Sequence, residues 1–241
     1  MGRLITARID PVLISDTHTT AASRGFSGFR PETEQKTRIV SVTENRTLAT
    51  LVRAFEKFSE YTSDRATDDS IRTKTYDAPT TMYRYALDLL DGVRYSAKDI
   101  GNFCFELVRF QRSEGFPDYA GLYLSALVEK GADENCTLRL DHLERKISII
   151  GFMNRKNVEV RGNISWFLGE SMSEGIVMLD GTAQMVGCKQ SGGIIIINGN
   201  AFGLVGEKMK GGEIHINGDE CRPGQVLHGK IFHNGKLIVD K

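Results

Sequence analysis

The chain lacks net charge: 31 Lys and Arg balance 31 Asp and Glu over 241 residues. That balance gives no global attraction to nucleic acid or to an anionic membrane surface. It also lacks any apolar run near the roughly 20 residues that span a bilayer. The start, Met1-Gly-Arg-Leu-Ile-Thr-Ala-Arg8, has neither the apolar stretch nor the cleavage site of a secretory signal. Gly2 and Thr6 satisfy only the loose Met-Gly-x-x-x-Thr myristoylation pattern. Cysteine is sparse. Cys104, Cys136, Cys188 and Cys221 form no CxxC and read as buried or free thiols of a reduced compartment. A cytoplasmic protein is expected, with no nucleic-acid or membrane partner.

Chemical motifs are equally scarce. Gly199-Asn-Ala-Phe-Gly-Leu-Val-Gly206 has the spacing G-x3-G-x2-G, not the dinucleotide spacing, and Gly206-Glu-Lys-Met-Lys-Gly-Gly212 lacks the Lys-Ser/Thr of a phosphate loop. His215, Cys221, His228 and His233 are soft-metal ligand types, but their spacings of six, seven and five match no zinc motif. Asp88, Asp91 and Asp99 read as helix-surface or capping residues. No catalytic residue, cofactor or metal ligand is assigned.

What is present divides the chain in three. Residues 1–45 are rich in Ser, Thr, Arg and Gly; 17–28 read as loop, and 8–14 and 38–42 as candidate strands. Residues 46–131 read as helices. Leu48, Leu51, Val52, Phe55 and Phe58 recur at helical spacing behind the candidate cap Thr47. Met82, Tyr85, Ala86, Leu89 and Leu90 follow Pro79 and the candidate caps Thr80 and Thr81, and Gly92 ends that run. Ser96 and Asp99 form an acidic variant of the capping box ahead of Ile100, Phe103, Cys104, Leu107 and Val108. Pro117 suits the first turn of a last helix carrying Leu122, Tyr123, Ala126 and Leu127, which Gly131 stops as a C′ glycine would.

Residues 137–241 are repetitive. Gly162, Gly181, Gly199 and Gly218 are spaced by 19, 18 and 19; Gly169, Gly187 and Gly206, and likewise Gly175, Gly193 and Gly212, by 18 and 19. Apolar pairs keep the same register: Leu138 and Leu140, Val158 and Val160, Val177 and Leu179, Ile195 and Ile197, Ile214 and Ile216. Residues i and i+2 share one face of a strand. A pair recurring in every coil therefore stacks as an interior ladder, and the glycines mark corners where the chain turns sharply. The expected fold is α+β: a helical region, then a parallel β-helix with coils of 18 to 20 residues.

Gly206-Glu-Lys-Met-Lys-Gly-Gly-Glu-Ile-His-Ile-Asn-Gly218 resembles the G-x-x-M-x-G-G-x-I-x-I-x-G pattern of the GXGXG-motif superfamily. That superfamily includes the C-terminal domain of the glutamate synthase large subunit and an accessory polypeptide of formylmethanofuran dehydrogenase. Gly169–Gly181 repeats the pattern with Glu174 for a glycine, and Gly187–Gly199 repeats it with Gln190 for Met. The resemblance implies a right-handed β-helix. It implies the role of a noncatalytic scaffold or protein-interaction module, an accessory part of an oxidoreductase assembly. The whole chain is similar to prokaryotic proteins that join a helical segment, with a stretch like Ala120–Val128, to such coils. A protein partner or self-association is expected. The alternative is a small-molecule enzyme or binding protein with a site between helices and β-helix; a deep polar pocket holding Asp141, His142 or Arg155 would favour it.

Four expectations concern surfaces. The outward column Glu159, Met178, Ile196 and His215 contains no ladder of paired carboxylates, against polysaccharide cleavage. Its apolar members are expected to lie under the helices or a partner, or else the helices cross the N-terminal end of the column. Trp166 and Phe167 are expected in the core. Ile231 and His233 take the register of Ile214 and Ile216, so residues 230–241 read as a polar, partly irregular cap.

Overall fold

The protein, seen in a computed structural model, is described over residues 45–66 and 78–241. The readings of Gly2, of residues 17–28 and of the strands at 8–14 and 38–42 lie outside the described residues. Four helices come first: α1 (Arg46–Ala66), α2 (Ala78–Leu89), α3 (Ala97–Glu106) with a 3-10 turn at Leu107–Arg109, and α4 (Phe116–Lys130). A parallel β-solenoid of about five turns follows, so the architecture is α+β.

Local chemistry fixes the helices. The Asn45 side chain accepts from the Leu48 amide at 3.2 Å, so Asn45 and not Thr47 caps α1. Helix α2 begins at Ala78, ahead of both threonines, with Pro79 in its first turn, where no amide is needed. Ser96 and Asp99 close a reciprocal capping box on α3. Val108 is exposed, because the 3-10 turn tightens the winding and moves it off the apolar face of Phe103, Cys104 and Leu107. Gly131 ends α4 with φ −57°, not the expected left-handed turn; a Cβ there would meet the Leu127 carbonyl at 3.1 Å. Packing centres on Phe55, whose ring lies 5.0–5.9 Å from those of Phe103, Phe110, Tyr119 and Tyr123.

One long side of the solenoid is a seven-stranded sheet. Its order is β1 (Asn135–Arg139), β2 (Asn157–Arg161), β3 (Ile176–Asp180), β5 (Ile194–Ile197), β7 (Lys210–Ile216), β9 (His228–His233) and β10 (Lys236–Asp240). A second side holds β4 (Ala183–Gln184), β6 (Ala201–Val205) and β8 (Cys221–Pro223). The parallel pairing stacks Val158 on Val177, Ile195, Ile214 and Ile231, and all five are buried. Val160, Leu179, Ile197 and Ile216 form the adjacent buried column.

The first coil departs from the expected register. Cys136 pairs with Val158 and Leu138 with Val160, so the aligned pair is Cys136 and Leu138. Leu140 is buried beyond the end of β1. This coil has 22 residues, longer than the expected 18 to 20; the following steps are 19, 18, 19 and 17. The extra length reaches toward the helices. The Glu144 amide donates to the Gln111 side chain, Arg145 to the Gln111 and Ser113 carbonyls, and His142 Nε2 meets the Cys104 carbonyl at 3.1 Å.

The helices close the N-terminal end of the column. Helix α4 lies against the first coil: the Ser148 amide donates to the Pro117 carbonyl at 2.9 Å, and Ser125 Oγ reaches the Ile149 carbonyl and the Phe152 amide. These are first-coil groups that an open end would leave unpaired. The approach is so close that a Cβ on Gly121 would overlap the Ser148 carbonyl oxygen. Helix α3 packs beside β1. The outward face of Met178 and Ile196 is therefore not covered by the helices, which take the end-capping position instead.

The far end is closed by a hairpin where an irregular cap was expected. Asn234 and Gly235, at φ 49° and 72°, form the two-residue turn that returns β10 antiparallel to β9. A β-bulge between Leu237 and Val239 breaks the regularity of this last strand.

Candidate functional site

The sheet's outer face follows from strand alternation. Its middle column runs Thr137, Glu159, Met178, Ile196, His215, Phe232. Beside it runs Asn135, Asn157, Ile176, Ile194, Glu213, Lys230. On the other flank Arg139 and Arg161 give way to Asp180, Asn198 and Asn217. The flanks are locked by side-chain ladders: Asn157 donates to Asn135 at 3.0 Å, Asn198 to Asp180 at 2.6 Å, and Asn217 to Asn198 at 3.1 Å.

An apolar patch of Ile176, Met178, Ile194 and Ile196 interrupts the first flank and the middle column, and the Asp180, Asn198 and Asn217 ladder borders it on the other flank. Ile176 and Met178 are each 37% exposed, and both Ile194 and Ile196 are partly exposed. Glu159, paired with Arg161 at 2.8 Å, bounds the patch on one side. His215 bounds it on the other, with Nε2 3.1 Å from Glu213 and its ring stacked on Phe232 at 4.5 Å. Beyond β1, helix α3 presents Phe105, 52% exposed, and a groove of about 670 Å³ separates α3 from the sheet. Lys98, Asn102, Arg139, Glu159, Ile176 and Met178 are among its walls. Phe105 escaped the sequence reading because it sits out of phase with Phe103 and Cys104. Its signal was a large apolar residue on a helix face that should be solvated.

A second cavity, about 350 Å³, lies between α1, α2, α4 and the first coil, with Thr62, Met82, Asp118, Tyr119, Leu122 and Ile149 in its lining. Neither cavity is lined by Asp141, His142 or Arg155, and all three are exposed. Arg155 binds Glu129 of α4. Trp166 is 49% exposed, contrary to the core placement expected for it, while its neighbour Phe167 packs partly buried against the core with φ 56°. The left-handed Phe167 turns the chain at the corner, and the two successive side chains part there.

The C-terminal ligand types do not converge. His233 Nε2 donates to the Gly218 carbonyl at 2.8 Å and His215 is held by Glu213. Among the described residues no group of three or more His, Cys, Asp or Glu side chains is placed to hold a metal. Burial pushes the Cys104 thiol up to about 12 and Cys136 to about 11. Cys221 is the one cysteine not fully buried.

The ten corner glycines answer to two constraints, and Gly162, at φ 123°, and Gly175, Gly193 and Gly212, where a Cβ would lie 2.3–2.8 Å from the preceding coil's backbone, meet both. Gly169, Gly175, Gly187, Gly193, Gly206 and Gly212 have φ between 64° and 90°, a conformation that disfavours other residues. Gly162, Gly181, Gly199 and Gly218 stack so tightly that a Cβ would lie 2.1–2.9 Å from the preceding coil's backbone. Gly199-Asn-Ala-Phe-Gly-Leu-Val-Gly206 is occupied by strand β6.

Comparison with protein-family profiles, with curated proteins and with solved structures finds no match in any of the three. Among the described residues no helix is long and apolar enough to cross a membrane.

Proposed function

We propose that the protein is a noncatalytic scaffold whose outer sheet face is a protein-interaction surface. One observation carries this reading: a contiguous, partly exposed apolar patch on a hydrogen-bonded sheet, bordered on one flank by the Asp180, Asn198 and Asn217 ladder. Isolated exposed apolar residues are ordinary, whereas apolar neighbours that adjoin on one face favour association. Loops position binding residues less rigidly than a ladder in which every strand is hydrogen-bonded to its neighbours. The likeness of the repeat to the GXGXG superfamily suggests the finer role, an accessory component beside an oxidoreductase. That role rests on analogy of fold. The test is native purification of the protein and of the Ile196→Lys variant, followed by identification of copurifying chains. Loss of specific companions with the variant is expected. Undiminished recovery of the same companions would overturn the reading.

A second reading, a small-molecule binder, draws on the 350 Å³ cavity between the helices and the first coil, where the buried Tyr119 and its neighbour Asp118 share a wall with Met82, Leu122 and Ile149. A ligand there would raise the melting temperature of the protein and of Ile196→Lys equally.

A further inference from the structure

We propose that the outer sheet face binds a second copy of this chain in a two-fold arrangement that lays one sheet over the other with the coil order reversed. The inference rests on the interaction-surface reading and names its occupant. The face is self-complementary only in that orientation. Consider a two-fold axis parallel to the strands, passing between β3 and β5. It carries each strand onto the strand equally far on the other side and keeps the columns in register. The apolar centre then meets itself: Ile176 faces the second copy's Ile194, and Met178 faces its Ile196. The next strands outward bring Glu159 of β2 opposite His215 of β7, twice by symmetry, and Asn157 opposite Glu213. Helix α3, beyond β1, comes opposite β10, beyond β9. Phe105, 52% exposed, then approaches the region of Leu237, 42% exposed. Lys98, exposed on the first turn of α3, approaches the Asp240 end of β10. Within the columns of the sheet from Asn157 to Arg161 no like-charged pair is opposed.

The alternative axis, along the stacking direction, fails on the same residues. It would place Glu159 on Glu159 and bring the two α3 helices together. The reversed order instead lets each α3 overhang β10, the last strand of the other sheet, so the groove beside α3 receives the end of the second copy. Sheets packed this way lie about 10 Å apart.

The expected interface is small. Seven strands at about 4.8 Å by five residues at about 3.3 Å give a footprint of roughly 500 Å² per copy. Both copies together bury on the order of 1,000 Å², at the low end for specific interfaces. An interface of that size suits a reversible dimer, not a permanent one.

Sedimentation velocity of the full chain across a concentration series tests it. The expected result is a monomer–dimer equilibrium without larger species, shifted to monomer by Ile196→Lys. Glu159→Lys alone and His215→Glu alone should each weaken the dimer several-fold. The double variant, which exchanges the acidic and basic members, should recover it. Melting curves of every variant separate loss of association from loss of fold. A dimer insensitive to Ile196→Lys, or single charge variants not rescued in combination, would overturn the arrangement. A wild-type protein that stays monomeric at all concentrations would overturn the second copy as occupant. Companions lost with Ile196→Lys would then still support the interaction surface itself.

Discussion

Replacing Gly199 with Ala separates the two reasons for glycine at the corners. Gly199 is not in the left-handed region, so alanine has no backbone objection there. The objection is space: the new Cβ would lie 2.4 Å from the Gly181 carbonyl oxygen and 3.0 Å from its carbon. Relief requires the two coils to part by close to 1 Å. The flanking rungs, from the Asn198 amide to the Leu179 carbonyl at 2.9 Å and from the Ala183 amide to the Asn200 carbonyl at 3.2 Å, would stretch with them. Two weakened hydrogen bonds cost about 1 kcal/mol each, and separation of close-packed coils adds a similar loss of dispersion. The total is roughly 2–4 kcal/mol, or about 6–12 °C in Tm for a domain of this size. Gly203→Ala is the control. Gly203 has φ 71° but room for a Cβ, its nearest neighbour being the Met185 sulfur at 3.5 Å. Only the left-handed penalty of about 1 kcal/mol applies, near 3 °C. Thermal denaturation followed by circular dichroism measures both. Equal losses, or a larger loss at Gly203, would refute the claim that coil separation is what Gly199 protects.

Three further outcomes follow from single side chains. Gln190 is buried between coils that carry Met172 and Met209 at the same position, and its Oε1 has no hydrogen-bond partner; Gln190→Met should stabilise by about 1 kcal/mol, whereas a fall in Tm would show that its bonds to the Gly192 and Gly193 carbonyls at 3.0 Å dominate. In the native protein Ellman's reagent should react first at Cys221, and all four thiols only after unfolding; fast native labelling of Cys104 would contradict its burial. Burial works against ionisation of Asp99, but hydrogen bonds from the Ser96 backbone and hydroxyl and from Asn45, with the charge of Lys98, hold its carboxyl below the ordinary 3.8. Its contribution is therefore present above about pH 4 and lost as pH falls below that, so an acid melt of Asp99→Asn should show a shallower decline than the wild type.

Sequence made the solenoid legible because its interior is periodic, and periodicity survives without any alignment. The register from β2 to β7 could be read because Val158, Val177, Ile195 and Ile214 recur in coils of nearly constant length. The register slips at β1 because the first coil carries extra residues that serve the helices, and nothing in Asp141–Lys146 announces that purpose. An earlier copy of the corner pattern was hidden for a related reason. Gly151 and Asn154 hold the places of Gly169 and Met172, and Asn154 caps its own corner by donating to the Lys156 carbonyl at 2.6 Å. The C-terminal hairpin is legible in Asn234-Gly235 between apolar strands, a strong local turn signal, although the decaying glycine repeat points to an irregular cap. Left-handed corners at Met153, Ser171, Lys189 and Lys208, with φ of 52–58°, could not be read. Coil stacking imposes them on residues with no such preference. The exposure of Trp166 is not legible in the sequence, because a corner, unlike a strand, has no alternation from which to infer a direction.

Both ends of the column bear on what the outer face can do. A β-solenoid left open adds strands along its axis. Here α4 satisfies backbone groups of the first coil through Ser125 and Pro117, and the hairpin pairs Lys241 with Gly229 in both directions at 3.1 Å. The bulge at Leu237–Val239 then spoils the regular spacing that a further strand would need. Among the described residues each end is closed by a different device, and growth along the axis is expected to stop there. Sideways contact is not blocked, because the side-chain ladders of Asn135, Asn157, Asp180, Asn198 and Asn217 stiffen the outer face without covering its centre. A face used in a two-fold contact consumes itself, so assembly through it stops at two copies. A filament would require the bulged edge to pair, and light scattering that rises without limit on concentration would show that it does.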